Sequence, residues 1–82
     1  MSTAVFNIRF AWDAEAEGWY VADSDIPGLN AEADTVDALV AKVKTMAREL
    51  IVLNRHLIGV SPDNNVRLHW TAERNDAVEI PS

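Results

Sequence analysis

The chain has 82 residues, 49% of them hydrophobic, and its 13 acidic and 7 basic side chains give a net charge of −6. This length predicts one small domain spanning residues 1–82, which buries roughly 60–65% of its unfolded surface. The sequence has no Cys, which excludes disulfides, thiolate chemistry and Cys-ligated metals.

The excess of acidic residues disfavours direct binding to nucleic acid. No apolar run reaches the ~20 residues that cross a bilayer, and the N-terminus does not read as a signal peptide. We therefore expect a cytoplasmic protein with no membrane contact.

The first elements predict a β-hairpin. Residues 4–12 alternate with period two, and Phe6, Ile8, Phe10 and Trp12 share the face that should turn inward. A polar loop, residues 13–18, ends in Gly and leads to a second strand over residues 19–23. On that strand we expect Trp19 and Val21 to face inward and Tyr20 and Ala22 to face outward.

Pro27 and Gly28 predict a tight corner, since Pro fixes φ and Gly accepts positive φ. A short third strand is expected after this corner, over residues 29–33. Asp34 or Thr35 should then begin a helix by offering a side-chain oxygen to its first N–H groups. Asp34 with Asp37 resembles a capping box in which Asp replaces the usual Glu.

A long amphipathic helix follows. Its apolar positions fall in a stripe about 160° wide at ~100° per residue. They are Val36, Leu39, Val40, Val43, Met46, Ala47, Leu50, Ile51, Leu53, Leu57 and Ile58. Asn54 interrupts the stripe and leaves two alternatives: the helix ends there with Asn54 as a left-handed C-cap, or it runs to Gly59 with Asn54 buried against a partner.

The length of this helix predicts self-association. Residues 35–58 would span ~36 Å at 1.5 Å per residue, whereas strands of about seven residues cover ~23 Å. The last turns should overhang the sheet and pack in a homodimer. The alternative is that the helix stops at Asn54 and residues 56–60 fold back over the core. The predicted dimer interface consists of Leu50, Ile51, Leu53, Leu57 and Ile58.

Residues 61–65 predict a turn, and residues 66–74 alternate again as a fourth strand. Val66, Leu68, Trp70 and Ala72 should face inward. Residues 77–80 fit either an edge strand or an arm. Together the elements predict an α+β fold, a two-layer β-β-β-α-β sandwich with one helix on a mixed sheet. The strand–helix–strand connection makes the last strand parallel to the strand that it joins.

The acidic residues concentrate in one part of the chain, because no basic residue lies between Arg9 and Lys42. Acids near a helix start also complement its dipole, so this asymmetry has a purely structural explanation. The functional alternative is an acidic face that steers a cationic protein partner. The candidate partner-binding residues are Asp13, Glu15, Glu17, Asp23 and Asp25.

Catalytic, metal and cofactor sites are not predicted. Asp13, Glu15 and Glu17 resemble the start of a calcium loop, but the twelfth position is Ser24 and strands flank the loop. Asp23, Asp25 and Asp34 lack a positioned base or Lys. His56 and His69 lie on different elements without a second-ligand pattern. We expect a protein that is not an enzyme and has no cofactor.

The sequence resembles the HicB-like antitoxin domains over nearly its whole length, and more narrowly a short bacterial family in that group known as a domain of unknown function. Its most specific feature is the Pro-Gly-Leu…Asp-Thr spacing ahead of one helix. The matching segments are Phe10-Ala11-Trp12-Asp13, Gly18-Trp19-Tyr20-Val21-Ala22, Asp25-Ile26-Pro27-Gly28-Leu29, Glu32-Ala33-Asp34-Thr35 and the helix end Glu49-Leu50…Leu53-Asn54.

The resemblance implies a partial ribonuclease-H-like fold with the last strand beside the first. It also implies an antitoxin that blocks a small basic RNA-cleaving toxin and often forms dimers or tetramers. HicB proteins usually carry a C-terminal DNA-binding segment, and here the chain ends about eight residues after the fourth strand, so DNA binding is not carried over. The resulting hypothesis is a non-catalytic protein-interaction module. The alternative is a self-associating domain, a structural or small-ligand-binding homodimer.

Overall fold

The computed structural model describes residues 3–58 and 65–81. Its elements, in chain order, are β1 (Thr3–Asp13), β2 (Gly18–Ser24), β3 (Glu32–Ala33), α1 (Val36–Ile58) and β4 (Asn65–Glu73). Gly59, most of the turn predicted at residues 61–65, and the side chains of His56, Leu57 and Ile58 lie outside the described residues.

The four strands form one mixed sheet in the order β3-β2-β1-β4. β2 is antiparallel to both β1 and β3, while β4 lies parallel to β1 with Phe6 opposite Leu68. One long helix completes the α+β architecture. The predicted fold class is confirmed, as are the parallel pairing of the last strand and its place beside the first.

β1 is the central strand and supplies one side of the core. Its alternation places Phe6, Ile8 and Phe10 on the buried face, where Phe10 is 0% exposed. Leu39 and Val43 of α1 belong to the same buried cluster. Trp12, on the same face, is half-buried and meets Trp19 edge-on, with 5.5 Å between ring centroids.

β2 contains a β-bulge that the sequence pattern did not reveal. Its register with β1 runs from Asp23 opposite Arg9 directly to Val21 opposite Phe10, so Ala22 is the extra residue. Residues two apart in a regular strand share a face, but the extra residue of a bulge turns its two neighbours to opposite faces. Val21 therefore packs on the core, while Asp23 shares a register position with Arg9.

The third strand is shorter than predicted, because the segment before it is a turn. Gly28 has φ +79° and the Leu29 N–H donates to the Ile26 carbonyl at 3.3 Å, as a type II turn with Pro27 and Gly28 at its centre requires. Ile26 and Leu29 are buried in the core. The strand itself is Glu32–Ala33, although the Ala31 carbonyl also accepts a hydrogen bond from the Val21 N–H of β2 at 3.1 Å. The prediction of a strand over residues 29–33 is therefore wrong in its first half.

Thr35, not Asp34, caps the helix. The Thr35 hydroxyl oxygen accepts a hydrogen bond from the Ala38 N–H at 3.1 Å, and the Thr35 carbonyl accepts from Leu39 N–H at 3.0 Å. These are the contacts of an N-cap residue. The third helical position is then Ala38, so the predicted capping box between Asp34 and Asp37 does not form.

Asn54 marks a kink within α1 and matches neither predicted alternative in full. The helix continues to Ile58, but Asn54 has φ −110° and ψ 15°, outside helical geometry. It is not left-handed, and its Nδ2 donates back to the Leu50 carbonyl at 2.9 Å. The half-buried amide thus bonds to its own helix, in the manner of short polar side chains that bend helices.

The last turns of α1 overhang the core less than their length suggests. Ile51 is 8% exposed and Leu50 packs against the core, since the turn containing Gly28 extends the layer beneath the helix. Leu53, in the same apolar stripe, is 71% exposed. Of the five residues predicted for a dimer interface, Leu50 and Ile51 thus belong to this chain's own core. The dimer itself stays a prediction.

The helix leaves β4 partly uncovered. Register places Val66, Leu68 and Trp70 on the core face, beside Ala4, Phe6 and Ile8. Leu68 packs on the core and Trp70 stacks on Phe10 with 5.4 Å between ring centroids. Nevertheless Val66 is 37% and Trp70 40% exposed, and Ala72 is also exposed. The prediction that these residues face the core is confirmed, but Val66, Trp70 and Ala72 are not buried there.

The capping geometry makes a prediction about stability. Replacing Thr35→Ala should lower the free energy of unfolding by about 1 kcal/mol, because the Ala38 N–H loses its acceptor. Asp34→Ala is the control and should cost less. Urea unfolding followed by circular dichroism measures both variants. A larger loss for Asp34→Ala would contradict the assignment of Thr35 as the cap.

Candidate functional site

An open groove of about 1000 Å³ lies where the β1–β2 hairpin, β3 and the first turns of α1 meet. These elements come together because Trp19 pairs with Ala33 at the hairpin end of β2, and the helix begins three residues after β3 ends. We call this the acidic groove. Its carboxylates are those of Asp13, Glu15, Glu32 and Asp34.

The acidic groove carries an excess of negative charge. Lys42 is the cation among its lining residues, and its ammonium group donates to the Glu32 carbonyl at 2.7 Å. The start of α1 adds only about half a positive charge. Four carboxylates against these two terms leave a negative potential, since Arg74 beside the groove is paired with Asp76. This potential attracts cations, and salt screens it at this exposed site.

Aromatic side chains accompany the carboxylates. Trp12, Trp19 and Tyr20 all line the acidic groove. The guanidinium carbon of Arg74 lies 3.9 Å from the centroid of the Trp12 ring, a cation–π geometry, while Arg74 Nε donates to Asp76 at 3.0 Å. The chain thus already places a guanidinium against one aromatic ring that lines the groove.

The predicted acidic face is divided by the fold. Asp13 and Glu15 line the acidic groove, and Glu17 lies in the same hairpin loop with φ 53°. Asp23 and Asp25 lie at the other end of β2, roughly 16 Å away at ~3.3 Å per strand residue. The five residues therefore do not form one surface, although the first three do lie together.

Asp25 has a structural partner. Its Oδ2 accepts from the Asn7 N–H at 2.8 Å and from Asn7 Nδ2 at 3.1 Å. The Asp25 N–H in turn donates to the Asn7 carbonyl at 3.0 Å. These contacts fasten the chain after β2 to the centre of β1. The Asp13 carboxylate makes a local contact of a similar kind, accepting from the Glu15 N–H at 3.0 Å.

The sequence pattern missed the other half of the acidic groove. Glu32 and Asp34 lie in the same cation-free stretch as Asp13 and Glu15, but nothing in periodicity shows that β3 brings them to the hairpin. Trp12 and Trp19 were expected only as inward-facing residues, and in the structure both are half-buried and also line the groove.

The acidic groove is suited to binding a cationic group. Carboxylates pair with guanidinium or ammonium, and aromatic faces stack on guanidinium. Its lining contains no Ser, Cys or His among the described residues. Within that described part of the chain, no group of three or more His, Cys, Asp or Glu side chains could hold a metal ion. No helix among the described residues is long and apolar enough to cross a membrane.

Comparison with known proteins places the chain in a family. Residues 5–81 match the model of DUF1902, a domain of unknown function. The chain belongs to this family. The DUF1902 protein is also similar in structure to the hypothetical protein TTHA1013 from the extremely thermophilic bacterium Thermus thermophilus. The TM-score is 0.71 at 34% sequence identity, covering 90% of this chain and 99% of that chain. No curated protein matches the sequence.

The role of Asp25 can be measured. Asp25→Ala should lower the free energy of unfolding by about 1 kcal/mol, because the Asn7 N–H and side-chain amide lose their acceptor. Asp23→Ala is the matched control, since Asp23 accepts only from the adjacent Ser24 N–H among the described contacts. Equal stability of the two variants in urea would show that the contacts between Asp25 and Asn7 do not hold the fold.

Proposed function

We propose that this protein is a non-catalytic interaction module that binds a basic protein partner through the acidic groove. The single observation that supports this most strongly is that four acidic and three aromatic residues line one open groove. Arginine-rich segments fit such a lining, since guanidinium pairs with carboxylate and stacks on aromatic rings.

Charge supports the same partner class. The whole chain has a net charge of −6, so it repels polyanions and attracts cations at long range. The resemblance to HicB-like antitoxin domains points to a more specific partner, a small basic toxin that cleaves RNA. In this proposal the protein acts as its inhibitor, by occupying the basic surface that the toxin needs to bind RNA.

Self-association is a second candidate function. Val52 and Leu53 near the end of α1 are 59% and 71% exposed. Exposed apolar groups of this kind favour packing against another chain. A homodimer with no toxin partner would use them and would leave the acidic groove without a protein ligand.

Isolation of the partner separates these candidates. The purified chain, immobilised and exposed to native lysate, should retain a small basic protein at low salt and release it at high salt. That protein should cleave RNA, and addition of the chain should suppress the cleavage at about one equivalent. A retained protein that is acidic, or basic but without RNA-cleaving activity, would contradict the antitoxin proposal.

The groove assignment predicts which charges control association. Glu15→Lys and Glu32→Lys, both at exposed positions, should each slow association with the isolated basic partner by about tenfold at low salt. Glu49→Lys makes the same charge change on an exposed position of α1 and should have a smaller effect. Stopped-flow measurements at two salt concentrations test this, because steering weakens as salt rises. Equal rates for all three variants would contradict binding through the acidic groove.

A further inference from the structure

β4 is an edge strand of the sheet and keeps an apolar surface that the described residues of its own chain do not cover. It stands last in the strand order, with Val66 37% and Trp70 40% exposed on the core face. An edge strand also presents unpaired N–H and C=O groups along its free side. The combination is a template for one more strand with apolar side chains on that face.

The same chain carries a segment of matching character. Residues 74–81, which we call the arm, follow β4 without forming a strand, and every residue in it is exposed. Val78 is 76% and Ile80 81% exposed. The molecule measures 59 Å in its longest dimension against 22 and 19 Å in the others, which is consistent with an arm that projects from the end of the sheet.

The first residue of the arm keeps the facing of β4. Ala11 is opposite Glu73, so the next register position places Arg74 beside Trp12, and the Arg74 guanidinium does lie over the Trp12 ring. If the alternation continues, the even-numbered residues Val78 and Ile80 belong to the face of Trp70. Glu79 then belongs to the opposite face, the side of Arg67.

We infer that the arm of one copy pairs antiparallel with β4 of a second copy, and that the exchange is reciprocal about a two-fold axis. Opposed residues of an antiparallel pair lie on one face, so the register must match even positions with even positions. Val78 and Ile80 then cover the exposed face of Val66 and Trp70. The two sheets join edge to edge into one sheet of eight strands.

Charge is complementary in this arrangement. β4 carries Arg67 on the outer face of the sheet, and the arm presents Glu79 on that same face. Opposed or diagonal positions across a strand pair are close enough for opposite charges to attract. A second copy therefore supplies both the apolar and the acidic side chains that the edge of β4 lacks.

The arm cannot pair with β4 of its own chain without breaking two contacts of Arg74. To fold back as a hairpin it would have to turn within residues 74–77, which would move Arg74 away from Trp12 and Asp76. Both contacts are present, at 3.9 Å to the Trp12 centroid and 3.0 Å to the Asp76 carboxylate. Pairing between two copies retains them, and it uses residues other than the Leu53 surface of α1.

Sedimentation velocity of the full chain tests this interface. The unaltered protein should sediment at twice the mass of one chain at micromolar concentration. The double variant Val78→Glu/Ile80→Glu should sediment as a monomer with an unchanged circular dichroism spectrum, because both positions are exposed within one chain. Val52→Glu is the control, since it places one of these two negative charges at an exposed apolar position of α1 instead, and it should remain dimeric.

A charge exchange tests the pairing of the strands. Arg67→Glu and Glu79→Arg should each raise the dimer dissociation constant several-fold, and the variant carrying both changes should recover most of that loss. A monomeric parent protein would overturn the inference. So would a dimer that persists in the Val78→Glu/Ile80→Glu variant, or one that Val52→Glu dissociates while the arm variant does not.

Discussion

One helix has to cover a sheet of four strands, and it is too narrow to do so. An α-helix with its side chains is about 10–12 Å across, whereas four strands at ~4.8 Å spacing extend over about 19 Å. The helix packs on β1, which supplies Phe6, Ile8 and Phe10 to the core. It lies towards β2 and β3, whose Val21 and Ala33 pack on the same core. The rest of the layer must be completed by other parts of the chain or left open.

Three regions of the sheet that the helix does not cover differ in what completes the layer. Beneath the end of α1, the turn after β2 inserts Ile26 and Leu29 and completes the core. At the hairpin end the layer stays open as the acidic groove, whose carboxylates and Trp rings face solvent in part. On the β4 side the inner face is partly uncovered, and we assign a second copy to it. Both proposed binding surfaces thus lie where α1 does not cover the sheet.

The sequence predicted the elements well and their tertiary consequences less well. Period-two alternation identified β1, β2 and β4, and the apolar stripe identified α1, because these patterns are local. The bulge at Ala22 and the burial of Leu29 depend on contacts between elements. The choice of Thr35 over Asp34 as the cap is local, but both residue types suit an N-cap, so the sequence left it open. The acidic groove was half predicted: Asp13 and Glu15 are close in sequence, while Glu32 reaches them only through the pairing of β3 with β2.

Amide hydrogen exchange at two protein concentrations tests most directly whether a second copy completes the β4 side. If it does, amides of the arm and those of β4 that point away from β1 exchange slowly in concentrated solution and quickly in dilute solution, while the β4 amides that pair with β1, and those of β1 and the first turns of α1, are protected in both. Equal protection of the free-edge amides of β4 at the two concentrations, or unprotected arm amides in concentrated protein, would contradict pairing between two copies.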